Sequence, residues 1–257
     1  MMSMIVLAAA LAAANPTPQA AIAAYGEAIA RNDPAMLARA FQPSAIMYCI
    51  RDGAIRATYQ AQWKTRMRTE TPAAGPNSTK IDWLDQGTDT ALARVAAVRG
   101  EKTFTDYLLL ARLGDSWRAI GKLCQSDARD IPASRVAVNA VIDTKLASDR
   151  GWDTDLLATS IDQRALVMTV EDGELVAATL AEWQARYVDR RATSPDNAVT
   201  ETSRVIDARG DIGVARWSFR ARDGSEWTDR ALMLRTPAGW RMMALVFVKE
   251  PPAARPG

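Results

Sequence analysis

The chain of 257 residues contains no histidine. That absence removes Ser-His-Asp and Cys-His nucleophilic machinery, imidazole proton shuttles and the usual histidine-ligated zinc or iron centres. Cysteine is scarce too, and Cys49 and Cys124 alone cannot make a four-thiolate site. No metal and no cofactor is expected. A dominant charge of either sign is also missing. The net charge is +2; residues 18–128 hold 14 basic and 11 acidic side chains, and residues 132–250 hold 16 and 18. A nucleic-acid footprint needs a far stronger basic face, so nucleic acid is not an expected partner.

Long apolar runs are lacking as well. The stretch from Ile5 to Ala14 is too short for a membrane-spanning helix, which needs about 20 apolar residues. It ends in Ala12-Ala13-Ala14 before Asn15-Pro16, a small-x-small pattern after an apolar core. This predicts a signal peptide over residues 1–14, a periplasmic or secreted protein, and no integral membrane segment after processing. No Lys or Arg precedes the run, and a disordered or docked apolar N-terminus is the competing reading.

What the chain does have is a hairpin written twice. FTDYLLLARLGDSWRAIGK, beginning at Phe104, returns 123 positions later as WTDRALMLRTPAGWRMMAL, beginning at Trp227. Both copies read aromatic-Thr-Asp, an apolar run, a turn, Trp-Arg and a second apolar run. The surroundings repeat with them. Thr17-Pro18 and Asp33-Pro34 start two helices, and Asp153 caps the counterpart of the second. Asp52-Gly53 and Asp172-Gly173 mark equivalent turns, and Trp63 and Trp183 head equivalent helices. Each half reads helix, helix, strand, strand, helix and four strands. A period of about 120 residues means duplicated domains, because solenoid units run to only about 20–50. The domains are expected at 17–126 and 133–250, with a linker at 127–132 and a tail at 251–257.

This order, with Ala-Phe-Gln-Pro-Ser-Ala at 40–45, the Arg51-Asp52-Gly53 turn and Phe104-Thr105-Asp106-Tyr107-Leu108 leading to Trp117-Arg118, resembles the NTF2-like superfamily. Within it the chain is similar to the SnoaL-like and putative lumazine-binding groups. The resemblance implies an α+β fold: two tandem cones, each a curved antiparallel sheet packed on about three helices. It also implies that the strands bearing Cys49 and Cys124 are neighbours, so that the pair forms a disulfide or stays as two buried thiols. Domains of this fold often dimerise through the outer sheet face, and a tandem is expected to satisfy that face internally as a pseudo-dimer.

The resemblance does not select one chemistry, since one fold hosts many functions. Three readings follow: a binder of a small apolar or aromatic molecule in a cone or an interaction module, an isomerase or cyclase with an aspartate general base, and a scaffold with filled cones. Asp106 and Asp229, retained in both hairpins, are the candidate bases; Tyr25, Tyr48, Tyr107, Asp155 and Tyr187 are the other polar candidates. The same aspartates also read as structural groups that bond a neighbouring turn or backbone amide at the strand start. Trp63, Met67, Tyr48, Trp183 and Tyr187 are the candidate ligand-lining residues, with core packing as the alternative. Arg186, Arg190 and Arg191 read as a solvated helix end.

Overall fold

The computed structural model describes residues 14–51, 53–71, 74–194 and 197–250. Apart from Ala14, the expected signal peptide lies outside the described residues, as does the tail at 251–257. In the first half, α1 (Pro18–Arg31) begins where the Thr17 hydroxyl accepts a hydrogen bond from the Ala20 amide. It ends at Asn32 in the left-handed conformation. The Asp33 side chain caps α2 (Pro34–Ala40) by accepting from the Ala35 and Met36 amides. Phe41, whose place in the apolar pattern suggests the end of that helix, is instead extended and opens β1 (Phe41–Arg51). Its carbonyl is held by the Gln60 side chain at 2.7 Å.

β2 (Ala54–Tyr59), α3 (Gln60–Thr69), β3 (Asn77–Gln86), β4 (Thr90–Arg99), β5 (Lys102–Leu113) and β6 (Ser116–Ser126) complete the half. The second half repeats it as α4 (Pro132–Gly151), α5 (Thr154–Ser160), β7 (Ile161–Glu171), β8 (Glu174–Thr179), α6 (Leu180–Thr193), β9 (Thr200–Arg209), β10 (Ile212–Arg220), β11 (Glu226–Thr236) and β12 (Gly239–Lys249). The two sheets share one strand order, β2-β1-β6-β5-β4-β3 and β8-β7-β12-β11-β10-β9. Only β1 with β6 and β7 with β12 run parallel; the other neighbours are antiparallel. No described helix is long and apolar enough to cross a membrane.

Alternation along the strands sorts the side chains into two layers. In β5, Leu108 and Leu110 pack towards the helices with Ile22, Leu37 and Phe41. Tyr107, Leu109 and Ala111 point the other way, into a layer that also takes Tyr48, Met168, Val214, Leu232 and Val246. That layer draws on both sheets. At Gly121 the sheets come so close that a Cβ would stand 3.0 Å from Leu232 Cδ1.

Two arginine–aspartate pairs cross the same layer. Arg94 pairs with Asp207, and Arg216 pairs with Asp85 at 3.0 Å. Both residues of one pair lie 122 positions from their counterparts in the other, so the contacts are reciprocal. The reciprocity breaks at the next position. Arg230, buried, donates to Asp85 and Thr90, whereas its counterpart Tyr107 puts an uncharged phenol into the layer.

Candidate functional site

The first cone is open. A cavity of about 690 Å³ lies between the concave face of its sheet and helices α1 and α3. Strand alternation aims Met47 and Cys49 of β1, Asp106 of β5, and Lys122 and Cys124 of β6 into it. Asp106 sits opposite Cys124 across the β5–β6 pair, and Cys124 sits opposite Cys49 across the β6–β1 pair. Cys49 and Cys124 form a disulfide with a Cα separation of 4.5 Å, in the wall of the cavity.

At the base, the Tyr25 hydroxyl donates to Asp106 Oδ2 at 2.6 Å. Lys122 Nζ stands 2.9 Å from Asp106 Oδ1, an ion pair whose two side chains are almost wholly buried. The ammonium also lies 5.5 Å from the centre of the Tyr25 ring and 5.8 Å from that of Trp63. Burial lowers the pKa of Lys122; Asp106 opposes that, and the positive charges of Arg99 and Arg51 reinforce it, leaving it below the ordinary lysine value. Burial, with help from the Asp106 charge, raises Tyr25 well above the ordinary tyrosine value. Tyr25 therefore stays a neutral donor.

Above this base the walls are aromatic and cationic. Trp63 and Phe104 supply rings, Met67 a flexible apolar surface, and Arg51, Arg56, Arg66 and Arg99 positive charge. Arg66 donates to the Thr58 hydroxyl, and Arg99 to backbone carbonyls and Thr79. Among the described residues none of these four arginines pairs with a carboxylate. Glu70, exposed at the rim, is the only other described acid in the lining.

The second cone is filled. At the positions equivalent to Trp63, Met67, Cys124 and Lys122 stand Trp183, Tyr187, Phe247 and Leu245. The Trp183 and Phe247 ring centres lie 5.2 Å apart, and Trp152 meets Tyr187 edge-on at 5.2 Å. The lysine of this half comes from the helix instead: Lys145, at the position of Tyr25, contacts both Asp149 oxygens at 2.7 Å and the Tyr187 hydroxyl at 3.3 Å. Burial pulls its pKa down, but Asp149, Tyr187 and Asp229 outweigh that and raise it. Asp229, beside this cluster and 3% exposed, is pushed up to about 7 by burial, which the Lys145 charge offsets only in part.

The sequence candidates therefore separate. Asp106, Trp63, Met67 and Tyr25 meet in the open cavity, while Trp183 and Tyr187 are core side chains of the closed cone. Tyr48 lies outside both cones: Met47 and Cys49 face inwards, so Tyr48 faces the inter-sheet layer, with its hydroxyl 3.4 Å from the Arg164 carbonyl oxygen. Tyr107 shares that layer, and Asp155 is exposed on α5. The cluster in the C-terminal half of α6 is not merely solvated, because Arg186 and Arg190 stack on Trp183 and Arg191 donates to the Trp152 carbonyl. No described group of three or more histidine, cysteine or acidic residues could hold a metal ion. Lys122 escaped the sequence reading because it sits in an apolar run. Its inward parity with Cys124, and the change to leucine at position 245, mark it.

Residues 15–125 match the family described as putative lumazine-binding. No curated protein matches the chain. Solved structures similar to it include an NTF2-like protein of unknown function from Silicibacter pomeroyi, 19% identical over 45% of this chain and 94% of that one, TM-score 0.38. A putative dehydratase of the NTF2-like family from Streptomyces avermitilis is 14% identical over 47% and 99%, TM-score 0.39. A putative ketosteroid isomerase from Shewanella frigidimarina is 17% identical over 44% and 94%, TM-score 0.37. Over residues 15–125 the chain is therefore similar to the putative lumazine-binding family, and the whole is two copies of one α+β fold.

Proposed function

We propose that the first domain binds a small organic anion bearing an aromatic or apolar group, and that the second domain is its built-in dimer partner. One observation carries this reading. The open cone combines Trp63 and Phe104 with four arginines that have no described carboxylate partner, whereas the equivalent space in the second cone holds its own rings. Guanidinium groups recognise planar carboxylates through paired donors, and aromatic walls take the rest of such a molecule. The pseudo-dimer reading is supported by the shared apolar layer and the reciprocal Arg94–Asp207 and Arg216–Asp85 pairs. Export is supported by the disulfide, which persists in oxidising compartments. Mass measurement of the protein from its own host would reveal a mature N-terminus after residue 14, or an intact one that sinks this part.

An aspartate general base is the weaker reading. Asp106 already receives the Tyr25 hydroxyl on one oxygen and faces the Lys122 ammonium with the other. Asp229 lies in the filled cone. Calorimetric titration tests the binding reading. 3-Phenyllactate should bind measurably more tightly than phenethylamine, an aryl cation, and Arg99→Gln should weaken that binding about tenfold, as expected for one lost charge-assisted bond. Equal affinity for the anion and the cation would overturn it.

A further inference from the structure

The duplication supplies an internal comparison for the lysine in each cone. Lys145 is sealed: both Asp149 oxygens and the Tyr187 hydroxyl surround its ammonium, within a closed aromatic core. Lys122 has a single carboxylate contact, two aromatic faces beside it, and an open cavity in front of it. A structural ion pair needs only the first arrangement. The second places an amine, a proton acceptor and a neutral hydroxyl donor together where a ligand can reach them.

We infer that Lys122 is a nucleophile that forms an imine with 2-oxo acids carrying an apolar or aromatic side chain. The inference rests on the anion-binding reading above, since Arg51, Arg66 and Arg99 would hold the carboxylate of such a compound. The step balances within the site. The Lys122 ammonium passes a proton to Asp106, and the free amine adds to the carbonyl carbon to give a carbinolamine. Asp106 returns the proton to the carbinolamine hydroxyl, which leaves as water as the C=N bond forms. The products are a protonated imine on Lys122, paired again with a carboxylate, and one water molecule. Tyr25 holds Asp106 in place throughout and is a positioning residue. The lowered pKa of Lys122 enlarges the fraction of free amine, while Lys145, raised by its own partners, stays protonated.

The test uses the oxidised full-length protein with phenylpyruvate and sodium cyanoborohydride, followed by intact-mass measurement and peptide mapping. The expected result is one reduced adduct on Lys122, formed roughly tenfold or more faster than on exposed Lys80, with a rate that saturates in phenylpyruvate. 3-Phenyllactate, which has the carboxylate and ring but no ketone, should block labelling without forming an adduct. Lys122→Arg keeps the charge beside Asp106 and should lose the adduct while still binding 3-phenyllactate. Labelling spread over Lys64, Lys80, Lys102 and Lys249, or labelling that 3-phenyllactate does not block, would overturn the inference. So would no adduct in protein that binds 3-phenyllactate, and that outcome leaves the binding reading standing. Failure to bind 3-phenyllactate at all would remove both.

Discussion

Asp229→Asn should stabilise the protein at neutral pH. The carboxyl titrates near pH 7 in the folded chain, because burial disfavours its charge and Lys145 compensates only in part. In the unfolded chain it titrates near pH 4. The folded state therefore holds a proton that the unfolded state has released between about pH 4 and pH 7. A group whose pKa is raised by folding contributes stability that is fully present below the unfolded value and is lost as pH rises through the folded value. Over that window the loss reaches about 4 kcal/mol in total. Asparagine has nearly the same shape and does not ionise, and Lys145 keeps Asp149 as its counter-ion. Urea unfolding of both proteins from pH 4 to pH 8 should show the variant close to wild type at pH 4 and a few kcal/mol more stable at pH 8. Other carboxylates titrate in both proteins and cancel in the difference. A variant that is equally or less stable than wild type at pH 8, with an unchanged pH slope, would show that the Asp229 charge costs the folded state nothing.

Two further outcomes follow from the same structure. Removing the disulfide by Cys49→Ser with Cys124→Ser opens a crosslink between residues 75 apart in sequence. Loop entropy values that crosslink at about 4 kcal/mol, so the protein should begin to unfold at a lower urea concentration; an unmoved transition would contradict this. Asp85→Ala should cost about 3–5 kcal/mol, because it strands Arg230, which is only 3% exposed. Asp207→Ala, its repeat equivalent, should cost less, since Arg94 is more exposed and retains Asp82 at 3.9 Å. Equal losses in thermal melts would show that the break in reciprocity at Tyr107 and Arg230 has no energetic consequence.

The architecture was legible because local signals agree with the global order. Thr17-Pro18, Asp33-Pro34 and Asp153 start helices where the structure has them, and the Asp172-Gly173 turn and doubled hairpin place strands; Asp52 lies outside the described residues. The site was legible only in part. Trp63 and Trp183, or Met67 and Tyr187, look equivalent along the chain, yet one pair borders a cavity and the other a core. The difference lies in distant residues: where the second cone has the Phe247 ring against Trp183, the first has Cys124, tied back to Cys49 in the wall. Period-two alternation groups Met47 with Cys49 and opposes both to Tyr48, but it does not say which face is the cone. The arginines that give the cavity its charge come from β1, β2, α3 and β4, and only folding brings them together.

If one cone is a receptor for organic anions and the other is not, their tryptophans respond differently to ligand. The most direct measurement is fluorine NMR of protein carrying fluorinated tryptophan, with its eight indole positions assigned by Trp→Phe variants, during titration with 3-phenyllactate. The Trp63 resonance should shift saturably while those of Trp152 and Trp183 stay fixed. A saturable shift of Trp183, or no saturable shift at Trp63, would contradict that difference between the cones.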